Sequence, residues 1–213
     1  MEEQICNVIL SYEEIYNSEY RYRDSIELMP HGFANVIERF HRSGYDFHLD
    51  LRHFNNLNEN CLELILKSLS HVQILSLNTH YPHISTERLH IFLKKLTIRE
   101  LRICGYKYAD ITDERNCCDH VVNALLVRNT EKLTKIDITD CLLGKVFPKA
   151  IQRLKKLHYL TLSNVRFFFP SVLEINLPKI AKIKINNCPD LNDEICSGLI
   201  QNCVKLIVSN CQH

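Results

Sequence analysis

Glycine is scarce, five in 213 residues, and none stands in a G-x-x-x-x-G-K or G-x-G-x-x-G arrangement. Such a chain has no Gly-rich loop with which to cradle nucleotide phosphates. An excess of one charge is also missing: 26 Lys and Arg balance 25 Asp and Glu, for a formal net charge of +1. Partners such as nucleic acid and anionic lipid usually call for a clustered cationic excess, so neither is expected and any charge preference must be local. No apolar run approaches the roughly 18 residues of a membrane span. The opening stretch MEEQICNVILSYEE puts acids where a secretory signal needs a basic segment. A cytoplasmic or nuclear protein is therefore expected.

What is present is ordinary core material, 46% hydrophobic and 24% charged residues, enough for one substantial core. Ten cysteines stand out. In a short secreted chain they would suggest a disulfide framework; without a signal they read as reduced thiols, mostly buried as small hydrophobes.

The cysteines belong to a repeat. Ile180, Ile183, Ile185 and Cys188 are matched 23 residues later by Cys203, Leu206, Val208 and Cys211. The shared motif is L-x-x-L-x-L-x-x-C with aliphatic substitutes, and five further copies precede it: Leu49/Leu51/Phe54 (partial), Val72/Leu75/Leu77/His80, Ile98/Leu101/Ile103/Tyr106, Leu133/Ile136/Ile138/Cys141 and Leu157/Leu160/Leu162/Val165. Their last positions are 26, 26, 35, 24, 23 and 23 residues apart. Those intervals fit the about 20–29 residues of leucine-rich repeats, with one enlarged unit.

Each L-x-L core alternates with period two, which predicts a short strand with its apolar residues inward and its x residues on a solvent-facing sheet. Parallel pairing needs a long crossover, and the second half of each unit supplies a helical pattern. Leu62, Ile65, Leu66 and Leu69 follow i, i+3, i+4, i+7 spacing, and Val121/Val122 and Leu125/Leu126 recur every four residues. Start signals precede four helices: Leu57-Asn58-Glu59, Ile84-Ser85-Thr86-Glu87, Ile111-Thr112-Asp113-Glu114 and Leu191-Asn192-Asp193-Glu194. Their polar side chains can cap free N–H groups while the acids favour the positive helix end. Cys188 is expected to end a strand and Cys203 a helix, both at apolar sites.

Cys188, Leu191, Asp193, Leu199, Cys203, Leu206, Val208 and Cys211, with Ile111-Thr112-Asp113 and Cys141, resemble the cysteine-containing leucine-rich repeats of F-box/leucine-rich-repeat substrate receptors of cullin–RING ubiquitin ligases. The resemblance covers about residues 45–213. It implies an α/β leucine-rich-repeat solenoid of about six to seven repeats, with a curved parallel sheet on the concave face and helices on the convex face. Residues 1–44 carry no complete F-box. Leu28-Met29-Pro30 followed by Phe33, Val36, Ile37 and Phe40 is similar to the opening helix of one, but the closing segment with its Trp is missing. The region reads as a short helical N-terminal cap or a degenerate F-box-like segment, since repeat stacks need their ends covered. The resemblance implies a protein client on the concave face and a cullin–RING adaptor met through residues 1–44.

Candidate chemistry elsewhere is thin. Cys117-Cys118-Asp119-His120 lies in the enlarged unit, but adjacent cysteines on a helix point about 100° apart and no second pair completes a zinc set. His80, His83 and His90 are explained as cheaply by a surface loop. An enzyme with a hidden Cys–His site stays an alternative; no catalytic residue, cofactor or metal is assigned. Phe167-Phe168-Phe169-Pro170 reads as aromatic backing of its repeat, with a partner anchor as the alternative. The outward positions of successive strands form two columns. Ser76, Arg102, Asp137, Thr161, Lys184 and Ile207 make the middle one, flanked by Ile74, Glu100, Lys135, Tyr159, Lys182 and Lys205. From these, Arg102, Lys135, Asp137, Tyr159, Lys182, Lys184 and Lys205 are the candidate partner-binding residues of a non-catalytic interaction module.

Overall fold

The computed structural model describes residues 8–10, 47–52, 57–68, 71–106, 110, 113–167, 179–191 and 193–211. The chain is a mixed α/β protein; among the described residues it is built on an open parallel sheet of eight strands. Its strands are β1 (Val8–Leu10), β2 (Phe47–Asp50), β3 (His71–Asn78), β4 (Thr97–Cys104), β5 (Lys135–Thr139), β7 (Tyr159–Ser163), β9 (Ile180–Asn186) and β10 (Cys203–Ser209), neighbours in that order. β6 (Leu142–Leu143) and β8 (Arg166–Phe167) form a separate parallel pair. The helices are α1 (Glu59–Ser68), α2 (Thr86–Lys95), α3 (Asp119–Asn129), α4 (Val146–Gln152) and α5 (Asp193–Gln201). None among the described residues is long and apolar enough to cross a membrane.

From β3 to β9 each L-x-L core forms a strand with its leucine or isoleucine positions inward; in β10 Leu206 is half-buried and Val208 exposed. Leu75, Leu101, Ile136, Leu160 and Ile183 lie directly opposite one another in successive strands and are all buried. The helices contribute Leu62, Ile65, Leu89, Phe92, Val121, Leu125, Phe147 and Leu199 to the same core. One apolar face of the sheet is thereby covered, and the other carries the x residues.

The strands end in a shared turn. Asp140, Asn164, Asn187 and Asn210, the residues directly after β5, β7, β9 and β10, have φ between 50° and 56°. Asn and Asp tolerate this left-handed region better than other non-glycine residues. The next residue turns inward, and where it is Cys its Sγ–H donates to the carbonyl two residues back: Cys141 to Thr139 at 3.1 Å, Cys188 to Asn186 at 3.5 Å and Cys211 to Ser209 at 3.4 Å. A thiol is small enough for the buried bend and has a weak proton to donate. At the corresponding point after β4 stands Gly105, where a Cβ would lie 1.8 Å from the Asp140 carbonyl oxygen.

Three expectations need correction or relocation. The signal Ile111-Thr112-Asp113-Glu114 does not open an α-helix: Asp113 accepts from the Arg115 N–H at 2.8 Å and starts a 3-10 turn, Glu114–Asn116, so α3 begins only at Asp119. The local Asp113–Arg115 clasp competes with helix continuation, as short polar side chains do. Cys203 starts β10 instead of ending a helix and is only half-buried, whereas Cys188 is fully buried. Of residues 1–44 only Val8–Leu10 are described, as edge strand β1; the expected helical cap otherwise lies outside the described residues, as do Phe54, Leu69, Phe168 and Phe169.

Candidate functional site

The outward columns have the expected register. Ile74, Glu100, Lys135, Tyr159, Lys182 and Lys205 stand opposite one another strand by strand, as do Ser76, Arg102, Asp137, Thr161, Lys184 and Ile207. β2 adds His48 and Asp50 to the two columns. All seven candidate residues therefore share one face, with neighbouring strands about 4.8 Å apart.

The face changes character along its length. At β2 and β3, His48, Asp50 and Ser76 are buried, with exposures of 8%, 5% and 0%. His48 Nε2 and Ser76 Oγ are hydrogen-bonded at 2.9 Å. Asp50 receives the Arg52 guanidinium through Nε at 2.9 Å and Nη2 at 2.6 Å. Burial pushes the Asp50 carboxyl up, but the hydrogen bonds and charge of Arg52 outweigh it and leave the group below its ordinary range. Burial, then the nearby Arg102 charge, holds the His48 pKa down. His48 is thus kept neutral.

The centre holds a partly exposed charge cluster. Lys135 Nζ lies 3.0 Å from Asp137 Oδ2 and 3.9 Å from Glu100 Oε2. Arg102 Nε is 3.9 Å from the same Asp137 oxygen, too far to hydrogen-bond, and among the described residues it is buried without a hydrogen-bond partner. Toward the C-terminal strands the cations are free. Tyr159 is 49% exposed, and among the described residues Lys182, Lys184 and Lys205 make no ion pair. A groove of about 490 Å³ runs across the centre, lined by Arg52, Arg102, Lys135, Asp137, Tyr159, Lys182 and Lys184 among others.

The other candidates are engaged in holding the fold. Asp119 accepts the N–H groups of Gly144, Val146 and Phe147 at 3.0, 2.8 and 3.2 Å, capping α4 from the preceding unit. At Gly144 a Cβ would come within 2.4 Å of that carboxylate. Burial raises the thiol pKa of Cys117 and Cys118 and lowers that of His120. The His80 ring packs edge-on against Tyr106 at 5.1 Å, and His83 is exposed. Among the described residues no three His, Cys, Asp or Glu side chains are grouped to hold a metal ion. The Phe167 N–H donates to Asp190 at 2.9 Å, and its ring packs on the core.

Sequence reading missed Arg52, whose guanidinium lines the groove from beyond β2, and the burial at His48, Asp50 and Ser76. The Asp50-x-Arg52 spacing is the one sequence signal for the former; nothing in a strand pattern announces the latter. No protein-family model matches the chain, and no curated protein matches its sequence.

Proposed function

We propose that the chain is a leucine-rich-repeat solenoid acting as a non-catalytic protein-interaction module, its client held on the open sheet face. The observation that carries this reading is the exposed Tyr159 opposite Lys182 on the adjacent strand and beside Lys184, an aromatic anchor next to two cations that make no ion pair among the described residues. Buried aromatics supply much of the energy of protein interfaces, and peripheral charges steer association. An acidic segment with an apolar anchor suits such a surface. The repeat period and cysteine positions support the finer likeness to the substrate-binding half of F-box/leucine-rich-repeat receptors.

The test is capture of clients by the full chain, with co-purifying proteins identified and their affinities then measured. Tyr159→Ala should speed dissociation, and reversing Lys182 and Lys184 to Glu should weaken binding roughly tenfold at low salt and less at high salt. Unchanged affinity of every client for both variants would sink the reading. Recruitment of a cullin–RING adaptor is the second reading, carried by Leu28-Met29-Pro30 and the apolar residues after it. It requires that the adaptor be recovered in proportion to bait and be lost when residues 1–44 are deleted.

A further inference from the structure

The groove across the centre of the face is unbalanced in charge. Among the described residues Arg52, Arg102, Lys135, Lys182 and Lys184 line it against one carboxylate, Asp137. Counting the partners just beyond its lining, Asp50 and Glu100, leaves five cations against three acids. Their distribution matters more than the total. Asp50 is committed to Arg52 through three contacts of 2.6 to 3.2 Å, and Asp137 to Lys135 at 3.0 Å. Among the described residues Arg102 Nε is buried with no hydrogen-bond acceptor, its nearest carboxylate oxygen being Asp137 Oδ2 at 3.9 Å, while the side chain as a whole is 35% exposed, and Lys182 and Lys184 have no carboxylate partner. A buried donor on a charged group is unfavourable until something accepts from it.

We propose that this groove receives one oxyanion, a phosphate or a carboxylate, borne on an extended peptide, with Arg102 as the central donor and Lys182 and Lys184 as flanking cations. This rests on the protein-binding reading above and specifies what the client presents. A planar guanidinium suits a forked oxyanion, whereas lysines act as adaptable point charges. Arg102 and Lys184 lie three strands apart, roughly 14 Å at the backbone, a span two long side chains close around a single group. Tyr159, beside Lys182 in register, offers the adjoining apolar contact. A nucleic-acid strand fits less well. Asp137 and Glu100 sit within the same patch and would repel a continuous phosphate backbone, and among the described residues Tyr159 is the one aromatic lining the groove.

The experiment follows the Arg102 Nε–H resonance of the full ¹⁵N-labelled chain during titration with inorganic phosphate, with chloride at matched ionic strength as control. A saturable shift with phosphate alone is expected, weakened several-fold in Lys184→Gln, an exposed substitution that leaves the core untouched. Equal shifts with phosphate and chloride overturn the proposal. Degenerate peptide libraries with a central phosphoserine, glutamate or serine then identify the source. Retention of the phosphoserine arm alone assigns phosphate, and retention of both acidic arms assigns carboxylate as well. Equal retention of the serine arm, or tighter binding of a single-stranded oligonucleotide than of any peptide, overturns it. Arg102→Gln should reduce retention of the preferred arm roughly tenfold or more. The two proposals separate cleanly. Clients lost on Tyr159→Ala without a phosphate-specific shift leave the interaction module standing and remove the oxyanion. A saturable shift with client capture indifferent to Tyr159 keeps the oxyanion and removes the module.

Discussion

At β2 and β3 the outward side chains His48, Asp50 and Ser76 are buried and bond to one another or to Arg52, whereas at β7, β9 and β10 Tyr159, Lys182, Lys184 and Lys205 reach solvent with no ion pair among the described residues. The strands beneath are the same in kind, parallel and in register throughout. A polar sheet face can thus be satisfied in two ways. Where it is buried, every polar group must be matched inside the molecule. Where it is open, water satisfies the groups, as it would until the proposed client replaced it. Arg102 stands between the two, with Nε buried as at one end and lacking a hydrogen-bond partner among the described residues.

Unmatching the buried end should have the greatest consequence for stability. Asp50→Ala removes the carboxylate that holds Arg52 and should cost about 2–3 kcal/mol in urea unfolding. Lys184→Ala, at the open end, should change stability by less than about 0.5 kcal/mol. Equal costs would mean that the two ends do not differ.

A smaller effect compares the interior with the edge. Burial pushes the Cys188 thiol up to about 11, and its Sγ–H is directed at a carbonyl. Cys188→Ser should cost about 1–2 kcal/mol, moderated because the hydroxyl keeps that acceptor. The half-buried Cys203 should tolerate the same change within about 0.5 kcal/mol. Labelling of the native protein by a thiol reagent checks the assignment independently: Cys203 should react well before Cys188, and the opposite order would refute it.

The smallest expected effect is a slope with pH. The folded pKa of His48 lies below its ordinary value, so the unfolded chain binds the proton more readily. Stability from this group is complete above about pH 6.5 and declines as pH falls through that value toward the folded pKa. His80, His90 and His120 are shifted the same way, so His48→Gln should lessen the acid-side fall in the urea midpoint without abolishing it. An unchanged slope would show that His48 titrates alike in both states.

Strand register was legible in the sequence because a one-residue slip would exchange the two faces of every L-x-L core, and Leu75, Leu101 and Ile136 can be satisfied on only one of them. Tyr159 and the three lysines followed directly from that alternation. β6 and β8 were not legible, since two-residue strands carry no period. The delayed start of α3 was hidden because Asp113 caps a 3-10 turn as well as it caps a helix. The left-handed column was within reach: Asp140, Asn164, Asn187 and Asn210 each precede a closing motif position, and their residue type is itself a turn signal. Burial of His48, Asp50 and Ser76 depends on what lies over the sheet, which no strand pattern encodes.

That left-handed column also determines where the molecule accommodates changes of length. Asp140, Asn164, Asn187 and Asn210 hold successive units at a constant offset from their strands, joined sideways by backbone bonds such as Asp140 N–H to Ser163 O at 3.1 Å and Asn164 N–H to Asn186 O at 2.8 Å. One residue inserted between strand and column would throw a whole outward row into the core. The segment from the column to the next strand has no such restriction. The 35-residue unit places its extra length there, and Glu100 still meets Lys135 and Arg102 still meets Asp137. Loop growth on that side can therefore add new surface beside the outward sheet face while leaving every residue on that face in its place.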